Sequence, residues 1–261
     1  NPTVLSGDNK VYHVVKGGVD ANPDDTRLDG FTVTGGNANG GSEYAFGGGM
    51  FNEYNSSPTV ANCTFSGNTA DQYGGGMYND NSSSPTVMNC TFSGNKSENG
   101  GGGMYNWGSS PTVENCTFSG NSADLKGGGM YNAVSSPTVM NCTFSGNTAE
   151  KSGGGMYNED FSPTVMNCTF SGNEAKSYGG GMYNENSSPT VENCAFSGNT
   201  ADQYGGGMFN GPNSSPTVMN CTFSGNKSEN GGGGMYNENK SSPTVANCTF
   251  SGNVAEVVSG G

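Results

Sequence analysis

Few residues in this chain can do chemistry, and most of them recur at one fixed interval. Eight cysteines, Cys63, Cys90, Cys116, Cys142, Cys168, Cys194, Cys221 and Cys248, follow one another every 26 or 27 residues. An even count often signals a disulfide framework. A metal site would need convergent sulfur or imidazole ligands, and the chain has neither a C-x-x-C pair nor clustered histidines. His13, in Val11-Tyr12-His13-Val14-Val15, is the only histidine, and no nucleophile motif accompanies it. Arg27 is the only arginine. Acids stand in one repeated position at Glu53, Asp80, Glu159, Glu185 and Glu238, broken by Trp107, Ala133 and Gly211. Stacked like charges repel, and occasional Ca²⁺ or Na⁺ bridging would relieve them. No carboxylate pair stands apart from the repeat as glycoside hydrolysis requires. The expectation is therefore a non-enzymatic chain without cofactor or catalytic residues.

The elements that must position these residues are set by the repeat itself. The tetrad G-G-G-M occurs eight times, with its Met at 50, 77, 104, 130, 156, 182, 208 and 235. Each Met is followed by Tyr or Phe and then Asn. A second block, S-P-T-V-x-N-C-T-F-S-G-N, follows a variable loop, as in Ser57 to Asn68. The stretch Ser84–Asn106 returns letter for letter as Ser215–Asn237, the mark of a duplicated multi-repeat block. A period of this length means a solenoid or an array.

Composition points the same way. Hydrophobic residues are 31% and glycines number 46, too thin a supply for an ordinary globular core. The net charge of −13 disfavours nucleic acid and anionic membranes. No apolar run approaches the ~20 residues of a membrane helix, so this segment is not expected to insert. No signal peptide opens the chain, which reads as beginning inside a repeat: a mature form or a fragment.

Helical periods do not fit, because Gly and Pro interrupt every stretch. Strand alternation does fit. Val60 with Asn62, Cys63 with Phe65, and Met50 with Asn52 each share a face. Three short strands per repeat, separated by Gly, Asn and Ser-Pro corners, make one coil of 26 to 27 residues. About ten such coils, stacked at ~4.8 Å, make an all-β parallel solenoid. Residues 1–46 form irregular first coils, and residues 47–261 form eight regular repeats of the same solenoid. Val60, Cys63, Phe65, Met50 and their equivalents point inward, and Asn62 and Asn68 head two asparagine columns at corners. Parallel neighbours hardly reach a disulfide dihedral, so the thiols are expected to be buried and mostly free. The N-C-T acceptor sequons such as Asn62-Cys63-Thr64 are expected to escape glycosylation because the ladder buries them.

The pairing of G-G-G-M-Y-N with F-S-G-N resembles the GGA-[ILV] and F-x-x-N repeats of chlamydial polymorphic outer-membrane proteins. It is also similar to the wider bacterial right-handed parallel β-helix proteins of the pectate-lyase-like superfamily. F-x-x-N is met eight times, from Phe65/Asn68 to Phe250/Asn253, while Gly replaces Ala and Met replaces Ile in the other motif. The resemblance implies a right-handed β-helix on a secreted or surface-exposed protein, often a passenger or a stalk. Lyases on this fold carry a Ca²⁺-binding carboxylate cluster and an Arg or Lys base, for which Arg27 is the only arginine here.

Two outward columns remain as a candidate interaction face. One is aromatic: Phe51, Tyr78, Tyr105, Tyr131, Tyr157, Tyr183, Phe209 and Tyr236. The other holds Met88, Met140, Met166 and Met219. The threonine columns of Thr59 and Thr64 straddle a corner and cannot form the flat array of an ice-binding face. The expected function is an extracellular or cell-surface structural or adhesive solenoid: a stalk, an adhesin segment or a head-to-tail filament subunit. A carbohydrate-binding or polysaccharide-degrading module is the alternative. Asn1-Pro2-Thr3-Val4 and Val257-Val258-Ser259-Gly260-Gly261 are the ends expected to meet in such a filament, and carbohydrate or a cell surface is the expected outside partner.

Overall fold

The computed structural model describes residues 3–17 and 26–256. A central coil shows how the sequence is spent. The strand Met104–Trp107 is followed by a loop, the strand Thr112–Glu114, a corner at Asn115-Cys116 and the strand Thr117–Ser119. A second corner at Gly120-Asn121 leads to the two-residue strand Ser122–Ala123, and a turn then returns to the next G-G-G-M. We call these the Met, Val, Phe and Ala strands of a coil. Every Val of one coil pairs with the Val of the next, Val113 with Val139 and Val139 with Val165, and the same holds for Met and Phe strands. All pairings are parallel, which the 26- or 27-residue crossover permits.

The coils build three sheets. Met strands form a nine-stranded sheet and Val strands another. Phe and Ala strands share an 18-stranded sheet that opens with two long strands, Thr3–Val11 and Phe31–Ala38. A four-residue 3₁₀ turn, Ser42–Ala45, is the only helical element among the described residues. The expectation of about ten coils with three faces holds: the Phe column has ten rungs when the two long strands are counted, and the other two sheets have nine.

The core is one continuous column of Val, Cys, Phe and Met. Phe92, Phe118, Phe144 and Phe170 stack face to face at 4.7 to 4.8 Å with interplanar angles of 3 to 5°. Seven thiols are buried and Cys248 is half-buried; all eight are free. From Cys63 to Cys221 each cysteine backbone N–H donates to the sulfur of the next coil, as Cys116 N does to Cys142 Sγ at 3.4 Å. Each thiol donates back to a carbonyl two residues earlier, as Cys142 Sγ does to Met140 O at 3.1 Å. The neighbouring thiol and burial together raise Cys63 and Cys221, and burial raises Cys248, so these sulfurs stay protonated. Thiol titration in denaturant without reductant is therefore expected to find close to eight reactive groups, and almost none in the native protein. A titre of zero in denaturant would mean that adjacent coils are cross-linked.

Two asparagine columns are buried. In the first, Asn121 Nδ2 donates to Asn147 Oδ1 at 3.0 Å and to Phe92 O at 2.9 Å, and its backbone N donates to the same Oδ1. This ladder runs from Asn68 to Asn253. The second ladder runs from Asn52 to Asn237 with amide bonds of 2.7 to 2.9 Å. The column headed by Asn62 was expected inside and is not. Asn62, Asn115 and their equivalents are exposed with φ near +53°. The left-handed residue resets the strand alternation, so Asn turns outward while the following Cys still points in. Burial therefore does not protect the N-C-T sequons.

Candidate functional site: an aromatic-floored groove

Residues that alternate with the inward Met project from the outer side of the Met sheet. These are Phe51, Tyr78, Tyr105, Tyr131, Tyr157, Tyr183, Phe209 and Tyr236. They were expected as an open face. Their rings are instead largely covered, at 1 to 9% exposure for all but the half-buried Tyr236. Two things cover them. Each ring packs on the next at 4.7 to 5.4 Å, and a row of residues just before the G-G-G-M folds over them. That row reads Phe46, Tyr73, Gly100, Lys126, Ser152, Tyr178, Tyr204 and Gly231, and from Tyr73 onward it pairs coil to coil through single bridges. The acid row lies on the other side, two residues past each ring. Ring column, covering row and acid row together form a groove along the rod.

The methionines take a different place. Met88, Met140, Met166 and Met219 are half-buried on the outer side of the Val sheet, interleaved with Glu114 and Glu192. The candidate face predicted from sequence thus divides between two sheets, and the structure does not bring its halves together. Arg27 also lies on the Val sheet, bonded to Asp29 at 2.8 Å, and is not part of the groove. His13 stacks on Phe51 at 4.9 Å at the start of the ring column. Burial lowers its pKa, and its Nδ1 bonds to Gly47 O at 3.1 Å.

The middle of the groove contains a residue that pattern reading missed. Lys126 reaches across two coils to Glu159, at 3.7 Å, and Glu185, at 3.3 Å. Its ammonium sits 4.5 Å from the Tyr157 ring centre, a cation–π contact. Tyr131 donates its hydroxyl to Glu159, and Tyr157 donates to Glu185. Burial, and then the carboxylates they bond, push both phenols up. Tyr131 also stands edge-on to Tyr105, at 89°, where every other coil outside this centre stacks flat. The signal was present: Lys occurs once in the row before the tetrads, in the stretch between F-S-G-N and G-G-G-M to which the repeat pattern assigned no role. Trp107, 47% exposed, stands in the acid row between Asp80 and Ala133.

Two clefts open along the groove. The first, about 570 Å³, is lined by Phe46, Phe51, Glu53, Tyr78 and Asp80 among others. The second, about 340 Å³, is lined by Tyr178, Tyr183, Tyr204, Phe209, Tyr236 and Glu238. Lys16 sits at the first, bonded to Glu53 at 2.7 Å and Glu43 at 3.6 Å, with its ammonium 5.4 Å from the Phe51 ring centre. Burial raises the Asp80 carboxyl, with Glu53 adding to it. Among the described residues no group of three or more His, Cys, Asp or Glu could hold a metal ion. No helix of the described residues is long and apolar enough to cross a membrane.

A parallel three-sheet coil with stacked interior columns defines a β-helix. The family model described as "right handed beta helix region" matches residues 3–170 and 131–261. The chain belongs to that family, which also assigns the right-handed sense of the coil. No curated protein and no solved structure matches it.

Proposed function

We propose that this chain is a non-enzymatic solenoid of the cell surface or extracellular space that adheres to carbohydrate polymers along the groove. The observation that carries the reading is the groove itself. Over the covered ring column two clefts open, one lined by half-buried Tyr178, Tyr204 and Tyr236 with Glu238 and the other by Phe46, Glu53 and Asp80, and they offer a linear polymer aromatic and carboxylate contacts at both ends of the groove. Aromatic edges and faces pack on sugar C–H groups while carboxylates accept hydroxyl hydrogen bonds. The state of the central acids argues against turnover. Glu159 and Glu185 are each held by Lys126 and by a phenol, which leaves neither free to act as nucleophile or general acid. The stacked ladders suit a rigid stalk that displays the groove. The end-to-end contact of a filament would involve residues 1–2 and 257–261, which lie outside the described residues.

Trp107 is the only tryptophan and lies in the acid row, so its fluorescence reports on the groove. Titration with a panel of polysaccharides and oligosaccharides should quench or shift it for at least one of them. Tyr178→Ala with Tyr204→Ala should weaken that ligand about tenfold, or ~1.4 kcal/mol. If no glycan perturbs Trp107 or is retained by the immobilised protein, the adhesive reading fails.

A further inference from the structure

Within this groove a rule governs the carboxylates. Three of the five acids facing the rings are satisfied from earlier coils. Glu159 takes the hydroxyl of Tyr131 and the ammonium of Lys126. Glu185 takes the hydroxyl of Tyr157 and the same ammonium. Glu53 takes Lys16. Asp80 and Glu238 break the rule together. The ring one coil earlier is Phe51 for Asp80 and Phe209 for Glu238, the only two phenylalanines in the column, so neither acid is offered a hydroxyl. The residues standing where Lys126 stands relative to Glu159 are Phe46 and Tyr204. Among the described residues neither Asp80 nor Glu238 has an ion pair; Lys240, two residues past Glu238, does not reach it. Asp80 has one side-chain donor, Asn81 Nδ2 at 2.8 Å. Glu238 lines the second cleft, and Asp80 lines the first together with Glu43 and Glu53.

We infer that the groove selects glycans carrying free amino groups, bound as ammonium ions at Asp80 and at Glu238. The inference rests on the glycan-adhesion reading and names its ligand class. The protein supplies the precedent twice with its own side chains: the ammonium of Lys16 between Phe51 and Glu53, and that of Lys126 between Tyr157 and the two glutamates. A ring beside a carboxylate is a favourable seat for an organic ammonium. At Glu238 the ring, the carboxylate and the open volume are present and no lysine pairs with the acid; in the Asp80 cleft Lys16 pairs with Glu43 and Glu53 and leaves Asp80 without a cation. A chain charge of −13 adds a field that attracts a polycation and repels a polyuronate. The two seats are six coils apart, about 29 Å at ~4.8 Å per coil, so one long amino-sugar chain can occupy both.

The test uses the full chain with three soluble probes read by calorimetry and Trp107 fluorescence: glucosamine oligomers, N-acetylglucosamine oligomers and galacturonate oligomers. Glucosamine oligomers should bind at least tenfold tighter than the acetylated ones, and galacturonate should bind least. Asp80→Asn with Glu238→Gln should abolish the preference, and an unchanged circular-dichroism spectrum and unfolding midpoint show that the variant is folded. Tyr204→Lys should fill the Glu238 seat and cut glucosamine binding severalfold. Lys126→Ala should leave Glu159 and Glu185 with only their phenol partners and no cation, and raise it severalfold, a gain that misfolding cannot produce. Equal binding of the acetylated and free-amine oligomers, or a preference that survives the double variant, overturns the inference and leaves glycan adhesion standing. Oligolysine binding more tightly than glucosamine oligomers overturns the glycan assignment in favour of a cationic peptide. Binding of none of the probes overturns the inference for these seats.

Discussion

Gly128→Ala is expected to destabilise the rod by about 3 kcal/mol or more, and Gly146→Ala in the same coil by only about 1 kcal/mol. The reason for the first lies in the neighbouring coil. A Cβ on Gly128 would stand 2.2 Å from Thr148 O and 2.7 Å from Gly154 O, both backbone atoms that cannot swing aside. Relief requires the two coils to part, which costs the bonds Gly128 N to Gly153 O and Gly129 N to Gly154 O, at 3.1 and 3.0 Å. Gly146 has φ +60° and nothing within 4 Å of the position a Cβ would take. Its replacement costs only the left-handed preference of the backbone. Guanidinium midpoints of the two variants would rank the effects. Equal midpoints would mean that the triglycine serves the turn and not the close approach of coils.

Asn147→Ala should cost several kcal/mol for a different reason. Asn147 Oδ1 accepts from Asn121 N and Asn121 Nδ2, and Asn147 Nδ2 donates to Phe118 O at 3.0 Å and to Asn173 Oδ1 at 2.9 Å. The side chain is fully buried, so no water replaces it. Truncation strands Asn121 N and Phe118 O, at about 1–3 kcal/mol for each unpaired group. Asn141→Gly, in the exposed left-handed asparagine column, should cost less than about 0.5 kcal/mol because glycine accepts φ +54° and solvent replaces the amide. Comparison of the two midpoints separates a ladder from a corner. If both substitutions cost the same, the buried amide bonds contribute little to cohesion.

Much of this molecule follows from spacing alone. A 26- or 27-residue period with Met, Val and Phe at fixed offsets determined the parallel coil, its three faces and the inward columns, because identical residues can stack only if the register is one repeat. The free state of the thiols followed from the same geometry. The buried ladders of Asn68 and Asn52 follow from Asn lying on inward strand positions or at a tight corner.

Tertiary structure decided what the period could not. The Asn62 column lies outward because one left-handed residue at the Val–Phe corner resets the alternation, and strand pattern does not carry a backbone sign. The aromatic column is covered because loops of irregular sequence fold back over it, and alternation predicts the side of a sheet without what lies above it. The methionines and the rings belong to different sheets because a corner rotates the chain between them. Lys126, Glu159 and Glu185 stand 33 and 59 residues apart along the chain and meet because side chains of that length reach across one or two coil spacings. Which carboxylates are left without a partner is likewise a property of neighbouring coils: the exchange of Tyr for Phe at 51 and 209 is silent in the repeat and leaves Asp80 and Glu238 without the hydroxyl that Glu159 and Glu185 receive.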